Sequence, residues 1–577
     1  STSGQKDIQK TWWKEAIIYQ IYPRSFQDSD GDGIGDLNGI TSRLDYIQSL
    51  GVDIIWLNPI FLSPNDDNGY DISDYREIMR EFGTMEDFDR LLKEIHKRGM
   101  RLVLDLVVNH TSDEHPWFEE ARKSRHNPYY NYYHWWPAEK GEPPLRLSYF
   151  DEEGNAWMYN KSTDSYYLHY FSRKQPDLNW ENPEVRQEIF DMMRFWFDKG
   201  IDGFRMDSIS LIAKDPSFPL IDSKKYPDIF SFYAKEPRLH LYLHEMNRQV
   251  LSKYDCMSVG EGSAVMVDDV AKFVDPAREE LNMLYHFDAA RIRNTTLPDN
   301  PESGIDYSLI ALKKMFTEWD KAVDKGWPSI YLGNHDQPRM VSRFGSDKDE
   351  FRALSAKMLI TFLLTMRGTP YWFAGDEIGM RNIRFDRIED YNDIDTINRY
   401  KKAKAEGKDP QAVLDEQKET GRDNARTPFQ WDRSPEAGFT AGTPWLKVNP
   451  DYTWINVADE EKDPTSILNY FKKVVSFRKE NPSLIYGSYH LLDAENPQCY
   501  IFLRKTGADT YLIMLNFSPK AAISTPGIDM SNAHVLLDNY GDRSHMAPQK
   551  DITLRPFEAI VFQLNYESFI DSLDLLE

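Results

Sequence analysis

The sequence predicts an α/β chain built on a (β/α)8 barrel, with a small domain inserted after the third strand and an antiparallel β-sandwich at the C-terminal end. Three observations predict it. Short apolar runs that close on polar or charged residues alternate with longer stretches of helical periodicity. The segment 111–177, rich in Pro, Tyr, Trp and Lys, is too long for a barrel loop. Beyond residue 486 the helical spacing gives way to alternation of apolar and polar residues.

The barrel runs are AIIYQIYP (16–23), DIIWLNPI (53–60), RLVLDLVVNH (101–110), GFRMDS (203–208), MSVGE (257–261), LYHFD (284–288), SIYLGNHD (329–336) and TPYWFAGDE (369–377). Between them, MEDFDRLLKEIHKRG (85–99) and VRQEIFDMMRFWFDKG (185–200) repeat apolar residues at helical spacing and close on glycine, the usual helix stop. After a last helix at 466–485, the segments YGSYHLLD, CYIFLRKT, TYLIMLNFS, HVLLDNY and EAIVFQLN read as antiparallel strands. The expected division is therefore a barrel at 1–110 and 178–486, an inserted domain at 111–177 and a sandwich at 487–577.

Composition removes several classes of function. Lys plus Arg is 69 and Asp plus Glu is 93, a net charge of −24, which repels nucleic acid and an anionic membrane surface alike. No run reaches the roughly 18 to 20 apolar residues of a membrane span. The opening STSGQKDIQK lacks a signal-peptide core, so a cytoplasmic or periplasmic location is expected, in a mature or trimmed form of the chain. Cys256 and Cys499 have no metal or redox spacing and read as buried thiols. Aromatic residues make up 14% of the chain, which suits the flat faces of sugar rings and equally the packing of a large core.

On a barrel, reactive groups gather at the C-terminal ends of strands. There the third run carries Asp105 and His110, the fourth Arg205 and Asp207, the fifth Glu261 and the seventh His335 and Asp336. Arg205 and Asp207 are two apart, hence on one face of one strand. Three converging carboxylates, Asp207, Glu261 and Asp336, cannot all be ionised at ease, so one keeps a proton at neutral pH, as a general acid requires. Cleavage of a glycosidic bond by a nucleophile and a protonated partner fits that pattern. For either histidine taken alone, a structural role is the better reading.

At these residues the sequence resembles glycoside hydrolase family 13, the α-amylase family, and within it the oligo-1,6-glucosidase, α-glucosidase and sucrose isomerase group. The resemblance is carried by WWKEAIIYQIYPRSF, DDNGYDISDY (66–75), DLVVNHTSDEHPWF (105–118), QPDLNWENP (175–183), GFRMDSIS (203–210), VGEG (259–262), NHDQPR (334–339) and RDNARTPFQWD (422–432). It implies Asp207 as nucleophile, Glu261 as acid/base and Asp336 as the group gripping the 2- and 3-hydroxyls, with Arg205, His110 and His335 orienting them. It also implies that Asp67, Tyr70, Phe171, Gln175 and Arg426 enclose a terminal glucose, an Asp67 and Arg426 pair blocking any preceding sugar. The implied enzyme is a monomer that removes one glucose at a time from a small α-glucoside, with retention of configuration.

In DSDGDGIGD (28–36), Asp28, Asp30, Asp32 and Asp36, with the Ile34 carbonyl, form an oxygen-rich cradle around glycines. It follows the start of a calcium loop but lacks its closing bidentate Glu, and an acidic turn without metal is the alternative. Relatives use this loop for calcium or magnesium, which implies a structural Ca2+.

Four departures bear on specificity. Ser208 follows the nucleophile, where α-1,6-specific relatives carry Val and α-1,4-preferring ones Thr or Ala; Ser is nearer the second group in volume, and the preference stays open. The Arg-Leu-Asp-Arg stretch of sucrose isomerases is RIRNT (291–295), and their Phe after the acid/base is replaced by Gly262 and Ser263. Both disfavour isomerisation and favour water as acceptor. The Gln-Gly-Glu-Glu usual after strand eight is AGDE (374–377), with an unknown effect on the acceptor side. Transporter heavy chains resemble the fold without being glycosidases; they carry a membrane span and have lost catalytic carboxylates, unlike this chain.

Overall fold

Alternation along each strand builds the barrel and, at its top, the site. The computed structural model describes residues 11–150, 154–286, 305–507, 509–543 and 549–564. Eight strands form one sheet: β1 (Ile18–Ile21), β2 (Ile54–Leu57), β3 (Arg101–Val107), β4 (Gly203–Asp207), β5 (Met257–Glu261), β6 (Met283–Tyr285), β7 (Ser329–Ile330) and β8 (Thr369–Phe373). The paired neighbours are parallel, from β6 through β5, β4, β3, β2, β1 and β8 to β7. Ser329 closes the ring by donating its hydroxyl to the Leu284 carbonyl at 2.9 Å.

Successive side chains point to opposite faces of a strand. Ile18, Ile54, Trp56, Val103, Val259, Met283, Tyr285 and Tyr371 pack together inside the barrel. Their neighbours Tyr19, Ile55, Leu104, Phe204, Leu284 and Trp372 belong to the core under the surrounding helices. Along the inward positions, apolar residues at the bottom give way to Asp105, Arg205, Asp207 and Glu261 at the top. The same period of two that fills the barrel thus delivers the charged groups to one end.

The helices follow the spacing expected of them. The helix Met85–Lys97 is opened by a capping box between Thr84 and Asp87 and buries Phe88, Leu91, Leu92 and Ile95. The helix Pro183–Lys199 starts on the Asn182 cap with Pro at its first position and ends on Gly200 in the left-handed region at φ 113°.

After β3 the chain forms a three-stranded antiparallel sheet from Trp135–Pro137, Ser165–Leu168 and Trp157–Asn160, with Ser165–Leu168 in the middle. It is rooted on the barrel by a bridge between His110 and Asp177 and by the buried Lys214, which contacts Asp177 at 3.1 Å and Asn109 at 2.6 Å. At the C-terminal end, five antiparallel strands run in the order Ser488–Leu492, Cys499–Thr506, Asp509–Asn516, Ala559–Leu564 and His534–Asp538. A second sheet, Ala522–Ser524 with Ile552–Leu554, covers one face; the sequence reading missed both of its strands, each only three residues long. The other face lies on the barrel helix Arg352–Thr365, where Phe362 meets Tyr500 at 5.2 Å between ring centres.

Some details differ from expectation. In the seventh run only Ser329–Ile330 pairs as strand, and the remainder leaves the barrel as the loop that carries His335 and Asp336. Cys499 is buried but Cys256 is only partly so. Phe287 and Asp288 of the sixth run, and RIRNT at 291–295, lie outside the described residues. Among the described residues no helix is long and apolar enough to cross a membrane.

Candidate active site

Arg205, fully buried on β4, is the hub of the strand-end cluster. Its Nη1 donates to Asp105 Oδ1 at 2.9 Å and to Asp207 Oδ1 at 3.0 Å, its Nη2 to Glu261 Oε2, and its Nε to the Tyr285 hydroxyl at 2.6 Å. One guanidinium therefore spans carboxylates from β3, β4 and β5, which sequence spacing indicates only for the Arg205 and Asp207 pair. Burial, then the charge of Glu261, pushes the Asp207 carboxyl well above the usual range despite Arg205. Burial likewise lifts Asp105 to about 6.

A relay of neutral groups supports this hub from β1, β2 and the loop after β7. Gln20 Nε2 donates to Asn58 Oδ1 at 2.9 Å and to His335 Nδ1 at 2.8 Å. The remaining His335 proton is then on Nε2, which faces the Tyr70 hydroxyl at 2.8 Å and Asp336 Oδ2 at 3.1 Å. The Tyr70 hydroxyl in turn donates to Asp105 Oδ2 at 2.6 Å. Burial keeps His335 well below its ordinary pKa and takes His110 down to about 3, so both rings are neutral hydrogen-bonding groups. His110 Nε2 donates to the Tyr70 carbonyl at 2.9 Å while Asn109 donates to its Nδ1 at 3.1 Å.

Asp336 is held low. Burial would raise it, but Arg422 and Arg426, with Arg205 further off, outweigh that; His335, being neutral, adds no charge at ordinary pH. Arg426 donates to Asp336 Oδ1 at 3.1 Å and to the His335 carbonyl at 2.8 Å. The expected Asp67 and Arg426 pair is therefore corrected: Asp67 Oδ1 receives Arg422 Nη2 at 3.4 Å, and Asp67 Oδ2 receives Gln175 Nε2 at 3.2 Å. Arg422 also reaches Asp336 at 3.4 Å and clamps Asp393 through Nε at 2.9 Å and Nη2 at 2.6 Å. Both arginines stand in the RDNARTP stretch, four residues apart, and spacing could not tell which one reaches Asp67. Burial lifts Asp67 to about 6 against the pull of both arginines.

These groups line a cavity of about 500 Å³ that holds Asp67, Tyr70, His110, Phe171, Asp207, Glu261, His335 and Asp336 together. Arg205, Gln175 and Arg426 lie behind that wall, fully buried. Of the aromatic rim, sequence reasoning found Phe171 and missed Tyr149, Phe150 and Phe230. Tyr149 stacks on Phe230 at 4.4 Å and on Phe171 at 5.2 Å, and the Arg422 guanidinium lies over Phe150 at 5.4 Å. A second cleft of about 860 Å³ shares Phe150, Phe171 and Arg399 with the first. The AGDE departure does not line either space: Glu377 accepts from Tyr19 and Tyr46 at 2.6 and 2.8 Å and Asp376 from Arg339 at 3.2 Å, in the turn that follows β8.

The acidic loop lies away from this pocket. Asp28 Oδ1 accepts the backbone N–H groups of Asp30 and Gly31, both at 3.1 Å, and Oδ2 accepts Gly33 N–H at 2.9 Å and the Thr440 hydroxyl at 2.5 Å. Asp36 caps the next helix through Gly39 N–H at 2.7 Å. Gly33 sits at φ 87°, where a Cβ would be 1.8 Å from the Thr443 carbonyl oxygen, so no other residue fits. Oxygens of Asp28, Asp30 and Asp36 fall within 4.8 Å of one another, a hard donor set that fits Ca2+ or Mg2+. Asp32 is not in that set; its Oδ1 accepts Ile34 N–H at 2.9 Å, and burial with the charges of Asp30 and Asp28 raises it to about 6.

A closed parallel barrel with paired carboxylates and a polar pocket at its C-terminal face defines a glycoside hydrolase. The chain belongs to the α-amylase family: residues 20–487 match the α-amylase catalytic domain. It is 52% identical to an oligo-1,6-glucosidase of Parageobacillus thermoglucosidasius over 96% of this chain and all of that one, and 49% identical to an oligo-1,6-glucosidase of Bacillus cereus with the same coverage. Among solved structures, the trehalulose synthase MutB from Pseudomonas mesoacidophila MX-45 superposes with a TM-score of 0.91 at 42% identity, covering 96% of this chain and all of the other.

Proposed function

We propose that this enzyme removes single terminal glucose units from short α-glucosides, α-1,6 linkages included, by a double displacement that retains configuration. The observation that carries this is the sharing of Arg205 between Asp207 and Glu261. Retaining enzymes need their two carboxyls about 5 to 5.5 Å apart, whereas inverting ones leave about 6.5 to 9.5 Å for a water between them. Groups held on one guanidinium, the charge of one raising the pKa of the other, favour the closer pair.

Asp207 attacks the anomeric carbon while Glu261 protonates the departing oxygen; Glu261 then takes a proton from the water that releases glucose. Asp336, kept ionised by Arg422 and Arg426, and neutral His110 and His335 hold the sugar hydroxyls. Asp67 and Arg422 close the inner end against a preceding sugar, and the adjoining cleft receives the departing portion. Relatives about half identical carry the oligo-1,6-glucosidase name, which supports α-1,6 cleavage although the volume of Ser208 leans the other way. The likeness to trehalulose synthase is weaker in sequence, and Gly262 and Ser263 give less apolar surface for holding fructose than a Phe would. The acidic loop 28–36 carries a structural Ca2+ or Mg2+, and segments 111–177 and 487–577 serve as pocket wall and sandwich. The active form in this reading is a monomer.

NMR of the first glucose released from an aryl α-glucoside, whose leaving group contributes no sugar, tests the reading, together with turnover of starch. α-Glucose should appear before mutarotation, with soluble starch turned over poorly. β-Glucose appearing first would refute double displacement, and rapid internal cleavage of starch would refute the closed pocket.

A further inference from the structure

The two oxygens of Glu261 have unlike surroundings. Oε2 receives Arg205 Nη2–H and the Tyr285 hydroxyl, the latter at 3.1 Å. A guanidinium donates and does not give up its proton, so Oε2 stays an acceptor whatever the charge of Glu261. Oε1 faces two aliphatic hydroxyls, Ser263 at 3.1 Å and Ser208 at 3.3 Å. A serine hydroxyl rotates and serves as donor or acceptor.

The backbone holds both serines in place. Ser208 leaves the end of β4 in the left-handed region at φ 44°, ψ 32°, and is buried. The Ser263 carbonyl accepts the Ser210 hydroxyl at 2.6 Å, tying the loop after β5 to the loop after β4. Neither serine touches Asp207 among the hydrogen bonds described, so their pull falls on the acid/base alone.

We infer that the transferable proton of Glu261 resides on Oε1, and that Ser208 and Ser263 are positioning residues whose hydrogen bonds reverse as that proton leaves and returns. The inference rests on the acid/base role proposed above. In the first step the Oε1–H bond breaks and its proton goes to the glycosidic oxygen, as the bond from that oxygen to the anomeric carbon breaks and the Asp207 ester forms. Both hydroxyls then turn to donate to the new carboxylate. In the second step water attacks the anomeric carbon, the ester bond breaks, and the water proton returns to Oε1, where the hydroxyls accept again. The proton count closes over the cycle.

The test compares a leaving group that needs a proton with one that does not, through kcat/KM for isomaltose and for α-glucosyl fluoride. Ser263→Ala should lower the isomaltose value about tenfold and the double variant with Ser208→Ala on the order of a hundredfold, as expected for one and two hydrogen bonds to a charged group. The fluoride value should stay within about twofold, and Ser263→Thr, which keeps the hydroxyl, should restore isomaltose cleavage. Ser263→Ala carries the test alone if the double variant does not fold. Equal losses on both substrates, or no loss on isomaltose, would overturn the inference. Glu261→Gln separates the two levels: a loss on fluoride as large as on isomaltose removes the acid role itself, whatever the serines do.

Discussion

Two acidic clusters sit on this barrel, and they are neutralised by different means. In the loop 28–36 the carboxylates are turned onto their own backbone, where Asp28 accepts three N–H groups and Asp36 caps a helix. At the strand ends, Asp105, Asp207, Glu261 and Asp336 are balanced by Arg205 from within the cluster and by Arg422 and Arg426 from far along the chain. Backbone donors fix a loop in shape but supply no mobile charge; an arginine shared by several carboxylates leaves them close enough to shift one another's protons. In the sequence the first is four aspartates within residues 28–36, whereas the second is scattered from Asp105 to Asp336 and is assembled only by the barrel.

Substitutions should separate the two clusters. Asp207→Asn should lower kcat/KM for isomaltose on the order of 10⁴-fold or more, as loss of a nucleophile does elsewhere. A variant that kept a tenth of the activity while folded would put the nucleophile in another residue and make the strand-end cluster merely structural.

Arg422→Ala tests the arginine side of the comparison. It removes a charged donor from Asp67 and Asp336 at once, so kcat/KM for a disaccharide should fall about 10- to 100-fold. The preference for disaccharide over starch should narrow as the inner wall opens. Unchanged selectivity, measured on enzyme with a native melting curve, would take the wall away from Arg422.

The smallest effect is expected at the loop. Chelation with EDTA should lower the melting temperature by a few degrees relative to added calcium, because an ion bound only to the folded form stabilises by mass action, about 2.7 kcal/mol at a hundred times its Kd. Turnover of still-folded enzyme should not move. Identical melting curves would leave the loop held by its N–H groups alone, and a fall in kcat would erase the distinction between the two clusters.

The strand ends were legible because a single periodicity governs them. Inward positions two residues apart took Arg205 and Asp207 to one face and Glu261 to the matching height on the next strand. Tyr285 was not legible as a partner of Arg205, since an aromatic residue in an apolar strand looks like core, and its hydroxyl meets the guanidinium only when β6 packs beside β5. Ser208 read as a residue of open linkage preference and Ser263 as a loss of the isomerases' Phe, because the sequence does not show that both hydroxyls turn toward one oxygen.

By itself, then, the sequence determined the order of eight apolar runs, their helices, the inserted segment, the alternating C-terminal strands and the residues that end each run. Those follow from local rules of period, capping and chain length, which act within a few residues. Tertiary structure decided which arginine faces which carboxylate. Arg422 and Arg426 sit one turn apart on a short helix and are equivalent in local terms. That Arg422 takes Asp67 and Asp393, Arg426 takes the His335 carbonyl and both reach Asp336 is set by where the loops after β2 and β7 meet that helix, 86 or more positions away in the chain for Asp67 and Asp336. Charge pairing in a buried pocket is decided by how elements remote in sequence meet, and no pattern along one strand encodes that.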